Sequence, residues 1–294
     1  MSQIIRKPAV SGQFYDSSEE KLKKSINNCF LDPRGPGKLS SIQNNKPYVK
    51  GLIVPHAGYI YSGAIAAHSY DYLLKHGFAD TFIIIGPNHT GMGSGVSVMK
   101  KGKWATPLGQ ISIDETISKD IHTGIIDADE SAHLYEHSIE VQLPFLQFIA
   151  KEKKFKFVPI CMAMQDYQTS KEIGEILIDT IKKTDKKIVI IASSDFSHAG
   201  FNYQSMPPSG TRVDKFAEMQ DKKAIDQILN MNAEGLIDTV QKNNITMCGF
   251  GPIAAMITAC NKLEYEKVKL LKYATSYEVH PSSSCVGYGA LVIS

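Results

Sequence analysis

The sequence predicts an α/β fold built on a largely parallel central sheet flanked by helices. Short apolar runs rich in Ile and Val recur at 51–54, 82–85 and 188–192, the mark of strands covered on both faces. Segments of helical spacing alternate with them, as in parallel βαβ units. Each of the three runs leads into a histidine: His56, His89 and His198. Ligands bind outside the carboxyl ends of the strands in open α/β sheets, so these imidazoles point to one site, with a metal as a candidate occupant.

The elements follow in order. Residues 1–18 read as irregular around Pro8 and Gly12, with Gln13-Phe14-Tyr15 outward. Ser17-Ser18-Glu19-Glu20 supplies serine caps and first-turn acids for a helix to about residue 29. Residues 32–47, rich in Gly, Pro, Ser and Asn, read as a loop. Strand 50–54, helix 63–75 and strand 81–86 come next. Strands 95–99 and 109–113 flank Trp104 and are expected to pair as a hairpin. Asp114 opens a helix to 121. Ser138 opens another to 150, with Val141, Leu143, Phe145, Leu146 and Ile149 apolar. Strand 156–161, helix 170–183 and strand 187–192 complete the middle. Helices 213–230, 233–242 and 252–262 and strands 267–276 and 285–293 close the chain, with antiparallel pieces at the ends. No repeat appears, and 1–294 reads as a single domain.

With 294 residues, 43% hydrophobic and 21% charged, a sizeable core is expected and global disorder is not. The 32 basic and 30 acidic residues leave +2, which gives no electrostatic case for nucleic acid. The lysine runs 151–156 and 182–187 read as solvated helix ends and turns. No apolar stretch approaches the ~20 residues of a membrane span. No signal-peptide core follows Met1, so the expected location is cytoplasmic. Five widely spaced cysteines without a CxxC pair argue for reduced thiols.

His56 in Pro55-His56-Ala57-Gly58-Tyr59 and His89 in Gly86-Pro87-Asn88-His89 repeat one device, in which glycine and proline end a strand and present an imidazole. Each alone fits a loop hydrogen bond; two in successive units fit a shared metal site, because successive parallel strands usually neighbour each other. Cys248 enters a helix through Gly249 and Gly251, where a helix N-terminus lowers a thiol's pKa; a buried apolar role is the alternative. Cys29, Cys161, Cys260 and Cys285 lack that context. Asp195 and His198 could form an acid–base pair, or a polar loop capping its own turn. A Ser-His-Asp hydrolase using Ser193 or Ser194 lacks the G-x-S-x-G elbow. Glu136, His137 and Glu140 read as caps of the following helix or as a polar wall of the site. Phe14, Tyr15, Tyr59 and Trp104 are candidate pocket walls. His68, His76, His122, His133 and His280 have no comparable setting.

Together Gly12-Gln13-Phe14-Tyr15, Pro55-His56-Ala57-Gly58-Tyr59, Gly86-Pro87-Asn88-His89, Glu136-His137-Ser138-Ile139-Glu140, Ser193-Ser194-Asp195-Phe196-Ser197-His198 and Cys248-Gly249 resemble the Memo family, nearly end to end. Asn88-His89-Thr90 and Asp195-Phe196-Ser197-His198 depart from the animal pattern and look like the prokaryotic branch, so motility signalling is not carried over. The resemblance implies the fold of class III extradiol dioxygenases. It also implies His56, His89 and Cys248 as metal ligands, with His198 in the place of the dioxygenase base. The thiolate replaces the carboxylate of the 2-His-1-carboxylate iron site, a softer donor that suits copper or zinc as well as Fe(II).

The resulting expectation is a metal-dependent redox enzyme, dioxygenase-like, or an accessory factor, acting on a small molecule, with His198 oriented by Asp195 moving a proton. The alternatives are a non-catalytic peptide- or partner-binding module at the same cleft, and copper or iron sequestration. Relatives' association with radical-SAM proteins implies a partner of that pathway. Neither nucleic acid nor membrane is expected as a partner.

Overall fold

The computed structural model describes residues 4–43, 49–265 and 267–294. Residues 44–47 of the expected 32–47 loop lie outside the described residues.

In chain order the elements are β1 (Ile5–Arg6), α1 (Glu19–Leu31), β2 (Gly51–Val54), α2 (Tyr59–His76), β3 (Thr81–Pro87), β4 (Val96–Val98), β5 (Lys103–Thr106) and β6 (Gly109–Ser112). Then come α3 (Glu115–Ile121), β7 (Asp127–Ala128), α4 (Gln142–Ala150), β8 (Lys156–Met162), α5 (Tyr167–Lys182), β9 (Ile188–Ser193) and β10 (His198–Gly200). Helices α6 (Val213–Leu229), α7 (Ala233–Lys242) and α8 (Phe250–Lys262) and strands β11 (Val268–Thr275) and β12 (Ser284–Ile293) follow.

Among the described residues nine strands form one sheet in the order β10-β12-β2-β9-β3-β8-β4-β7, with β11 also pairing β12. The four central strands β2, β9, β3 and β8 are mutually parallel. Strands β12 and β4 flank them antiparallel, so the sheet as a whole is mixed. Alternation splits each central strand between two cores. Leu52, Val54, Phe82, Ile84, Val189 and Ile191 pack toward α1, α2 and α4, while Ile53, Ile83, Ile85 and Ile190 pack toward α5, α7 and α8. Both sets are buried, which is why these strands read as continuous apolar runs.

Two expectations are corrected. Residues 95–99 and 109–113 do not pair with each other. Strand β4 pairs β8 and β7 in the main sheet, where Val96 and Val98 point to one face and are buried in the core beside α5 and α8. The hairpin is β5–β6, in a separate three-stranded sheet with β1, and Gly109 (φ 116°) supplies the left-handed backbone at its turn. There Trp104 is fully buried beneath the Arg6 guanidinium, 4.2 Å from the ring centre. Second, β2 and β3 are not neighbours, since β9 lies between them. The loops carrying His56 and His89 therefore flank the exit of β9, which leads to Asp195 and His198. Among the described residues no helix is long and apolar enough to cross a membrane.

Candidate metal centre

Strand β2 ends at Val54, and Pro55 turns the chain so that His56 lies over the sheet edge, 2% exposed. Strand β3 ends at Pro87 and delivers His89 beside it, with ring centres 5.2 Å apart. Cys248 arrives from the turn before α8. Its Sγ lies 3.2 Å from His56 Nε2. Ligand atoms of His56, His89 and Cys248 all lie within 4.8 Å of one another.

Gly249 lets the Cys248 turn approach β9, because a Cβ there would stand 2.6 Å from the Ser193 carbonyl oxygen. The Ser194 hydroxyl accepts the Gly249 N–H. Asp195 N–H donates to Cys248 Sγ at 3.3 Å. Burial first and the Asp195 charge second push the Cys248 thiol well above its ordinary range. The helix-terminus lowering expected from the sequence is therefore outweighed, and a metal would have to displace the proton.

Glu136 is fully buried beneath His89. Its Oε1 lies 3.0 Å from His89 Nδ1 and accepts the backbone N–H groups of His137 and Ser138, while Oε2 accepts the N–H of His89. Burial pushes this carboxyl up, but the hydrogen bond from His89 and the charges of His89 and His137 win, holding it at about 2. A carboxylate only accepts, so Nδ1 of His89 carries a proton, and Nε2 is the nitrogen left to meet a metal. Ligand atoms of Glu136, His89 and His137 also lie close together. Glu136 Oε1 already receives three donors, however, so the group orients His89 rather than offering a second cation site.

His137 stacks on His89 at 4.5 Å and meets Phe14 at 4.7 Å. Burial lowers it to about 4, against the opposing charge of Glu136. His56 is held well below its ordinary range by burial, then by the charges of His137, His89 and His198. Neutral imidazoles are the form that binds metals.

His198, the first residue of β10, faces the same cavity. Its Nδ1 lies 3.1 Å from the Phe196 carbonyl and 3.0 Å from that of Thr246, which leaves Nε2 as the acceptor. Asp195 does not orient it: its Oδ1 accepts the backbone N–H of His56 at 2.8 Å. Burial raises Asp195, partly offset by the His198 charge and by backbone donors. The carboxylate thus fixes the His56 loop, whereas carbonyl groups set the His198 ring.

The cavity holds about 440 Å³ and is lined by His56, His89, His137, His198, Asp195 and Phe14, with Tyr61, Tyr203, His280 and Cys285 farther out. A larger cavity of 610 Å³ lies at Thr81 and Lys156, the amino ends of β3 and β8, remote from these groups. Tyr15, Tyr59 and Trp104 do not line the site. Tyr15 donates to Glu140, Tyr59 donates to the Val141 carbonyl, and Trp104 packs under Arg6. Ser193 is fully buried with its hydroxyl donating to the Ser138 carbonyl, a geometry that denies it a nucleophile's access.

Sequence reasoning left Glu136 between a cap and a wall, gave Ser193 no part at His56, and passed over Gln142, His280 and Cys285. The one available signal was the density of polar residues from Glu136 to Gln142, directly ahead of the apolar run Leu143 to Leu146. Helix α4 begins at Gln142 rather than Ser138 because these polar groups bond outward, to His89, Pro87 and the N-terminal segment. Glu140 pairs with Arg6 and accepts from Ala9, Val10 and Tyr15, which pins the strap that carries Phe14 to the cavity.

Residues 6–292 match the family model described as Memo-like protein. A MEMO1 family protein of Methanopyrus kandleri is 43% identical, covering 98% of each chain. One of Sulfurisphaera tokodaii is 47% identical, covering 97% of this chain and 98% of the other. One of Methanococcus vannielii is 47% identical over 99% of this chain and 100% of the other. In fold the chain is similar to an uncharacterized protein from Escherichia coli K12, with TM-score 0.52 and 12% identity over 83% of this chain and 99% of that one. From the family match and these near full-length relatives, the chain belongs to the Memo family.

Proposed function

We propose that His56, His89 and Cys248 hold one transition metal, iron or copper with zinc as a third choice, in a dioxygenase-like redox enzyme or accessory factor acting on a small molecule. The observation that carries this reading is the convergence of two imidazoles and a thiol within 4.8 Å at the carboxyl edge of a sheet. The donor chemistry fits. His89 has its proton-bearing nitrogen tied away from the site, and a buried thiol is a group that a metal would ionise.

When bound, iron or copper supplies a redox couple and open coordination positions. His198 Nε2 accepts a proton from, or returns one to, a molecule in the cavity while its Nδ1 stays bonded to carbonyl oxygens. Phe14 packs on His137 and Tyr203 lies 5.0 Å from His198, so aromatic rings form part of the wall around these imidazoles. The test is metal analysis and spectroscopy of anaerobically purified protein. Stoichiometric metal and a thiolate charge-transfer band that vanishes in Cys248→Ser support the reading. Protein without stoichiometric metal, with His56→Ala and Cys248→Ser taking up metal as the parent does, overturns it.

A partner-binding role at the same cleft is the second reading, favoured by Tyr61 and Tyr203, which line the cavity yet remain 37% and 41% exposed. Peptide binding that survives chelation and His89→Ala would place it first. Tight metal binding without substrate consumption would instead mean sequestration.

A further inference from the structure

Three buried side chains behind His56 join it in a chain of hydrogen bonds whose directions are all determined. Gln142 Nε2 lies 3.1 Å from the Pro55 carbonyl oxygen, and Gln142 Oε1 lies 2.6 Å from Tyr70 OH. A carbonyl only accepts, so the atom facing Pro55 is the amide nitrogen, and Tyr70 donates to Oε1. That nitrogen also donates to Ser193 Oγ at 2.8 Å. Ser193 has one proton, and it goes to the Ser138 carbonyl at 2.6 Å. One lone pair of Ser193 remains, and His56 Nδ1 stands 3.0 Å from the oxygen. A lone pair cannot meet a lone pair there without leaving two buried acceptors facing each other.

We propose that Gln142 and Ser193 are positioning residues that fix His56 as the Nδ1–H tautomer and so present its Nε2 lone pair beside Cys248 Sγ. All four residues of the chain, Tyr70, Gln142, Ser193 and His56, are at most 2% exposed, so water does not substitute for a missing partner at low cost. Glu136 does the same for His89 from six positions earlier in the chain. One segment, Glu136 to Gln142, therefore sets both rings. The consequence for metal affinity rests on the ligand role proposed for His56; the tautomer itself does not.

The test uses metal-free protein labelled with ¹⁵N-histidine, with the His56 signals assigned by their loss in His56→Gln. Long-range ¹H–¹⁵N correlation distinguishes the two tautomers. A protonated Nδ1 is expected, and a protonated Nε2 in the folded parent overturns the proposal whatever the variants do. In Ser193→Ala, His56 is expected to populate both tautomers, with Zn(II) affinity falling roughly 10–100-fold. Ser193→Thr, which keeps the hydroxyl, restores the single tautomer. A folded Ser193→Ala that keeps the parental tautomer pattern overturns the assignment to Ser193. If the parent binds no metal but shows Nδ1–H, the positioning role stands and the ligand reading falls.

Discussion

Cys248 Sγ and His56 Nε2 stand 3.2 Å apart although 192 positions separate the two residues. The contact exists because the Gly249 turn rests on the end of β9 while Asp195, just beyond β9, bonds both the His56 backbone and the Cys248 sulfur. Strand β9 is thus the common platform of the candidate ligands, and the surrounding polar groups determine which atoms they present.

Glu136→Gln tests the support of His89. Glu136 accepts four N–H groups, and an amide must turn one donor toward them. The expected outcome is a folded protein destabilised by about 1–3 kcal/mol. Its Zn(II) affinity, measured by chelator competition, falls roughly 10–100-fold. A folded variant with the parent's affinity would remove Glu136 from the site.

Arg6→Met tests the anchor of the N-terminal strap. Arg6 and Glu140 are fully buried, and Arg6 also donates to the carbonyls of His133 and Glu136. Removing the guanidinium leaves a buried carboxylate uncompensated, at a cost of about 3–5 kcal/mol. Chemical denaturation measures this. The double variant with Glu140→Gln should regain part of the loss, and a loss that merely adds would show that the two side chains act independently.

Asp221 makes stability depend on pH. It is buried with Ser197 N–H and Tyr273 OH as partners, and burial, opposed by those hydrogen bonds, pushes it up from 3.8 to about 6. Between these values the folded state binds more protons than the unfolded state, so stability falls as pH rises through that window and stays reduced above it. The shift corresponds to about 3 kcal/mol at 1.36 kcal/mol per unit. Asp221→Asn keeps an acceptor for Ser197 and should unfold at higher urea concentration than the parent at pH 7.5, while losing its advantage at pH 4. Parallel pH profiles of the two proteins would refute this account.

The sequence by itself determined the α/β class, the strand ends at His56 and His89, the Asp195–His198 loop and the Cys248 turn. Each is written locally, in an apolar run, a Gly/Pro break and the polar residue after it. Tertiary structure alone decided that β9 separates β2 from β3, because parallel pairing joins segments far apart in the chain and their spacing carries no record of the partner. It also moved Asp195 from the His198 ring to the His56 backbone, and it made supports for two imidazoles of Glu136, a helix-cap candidate, and of Gln142, which had carried no signal. Burial is the reason. Once these polar groups leave water, each must find a partner within reach, and which partners are within reach is settled only when the strands have assembled.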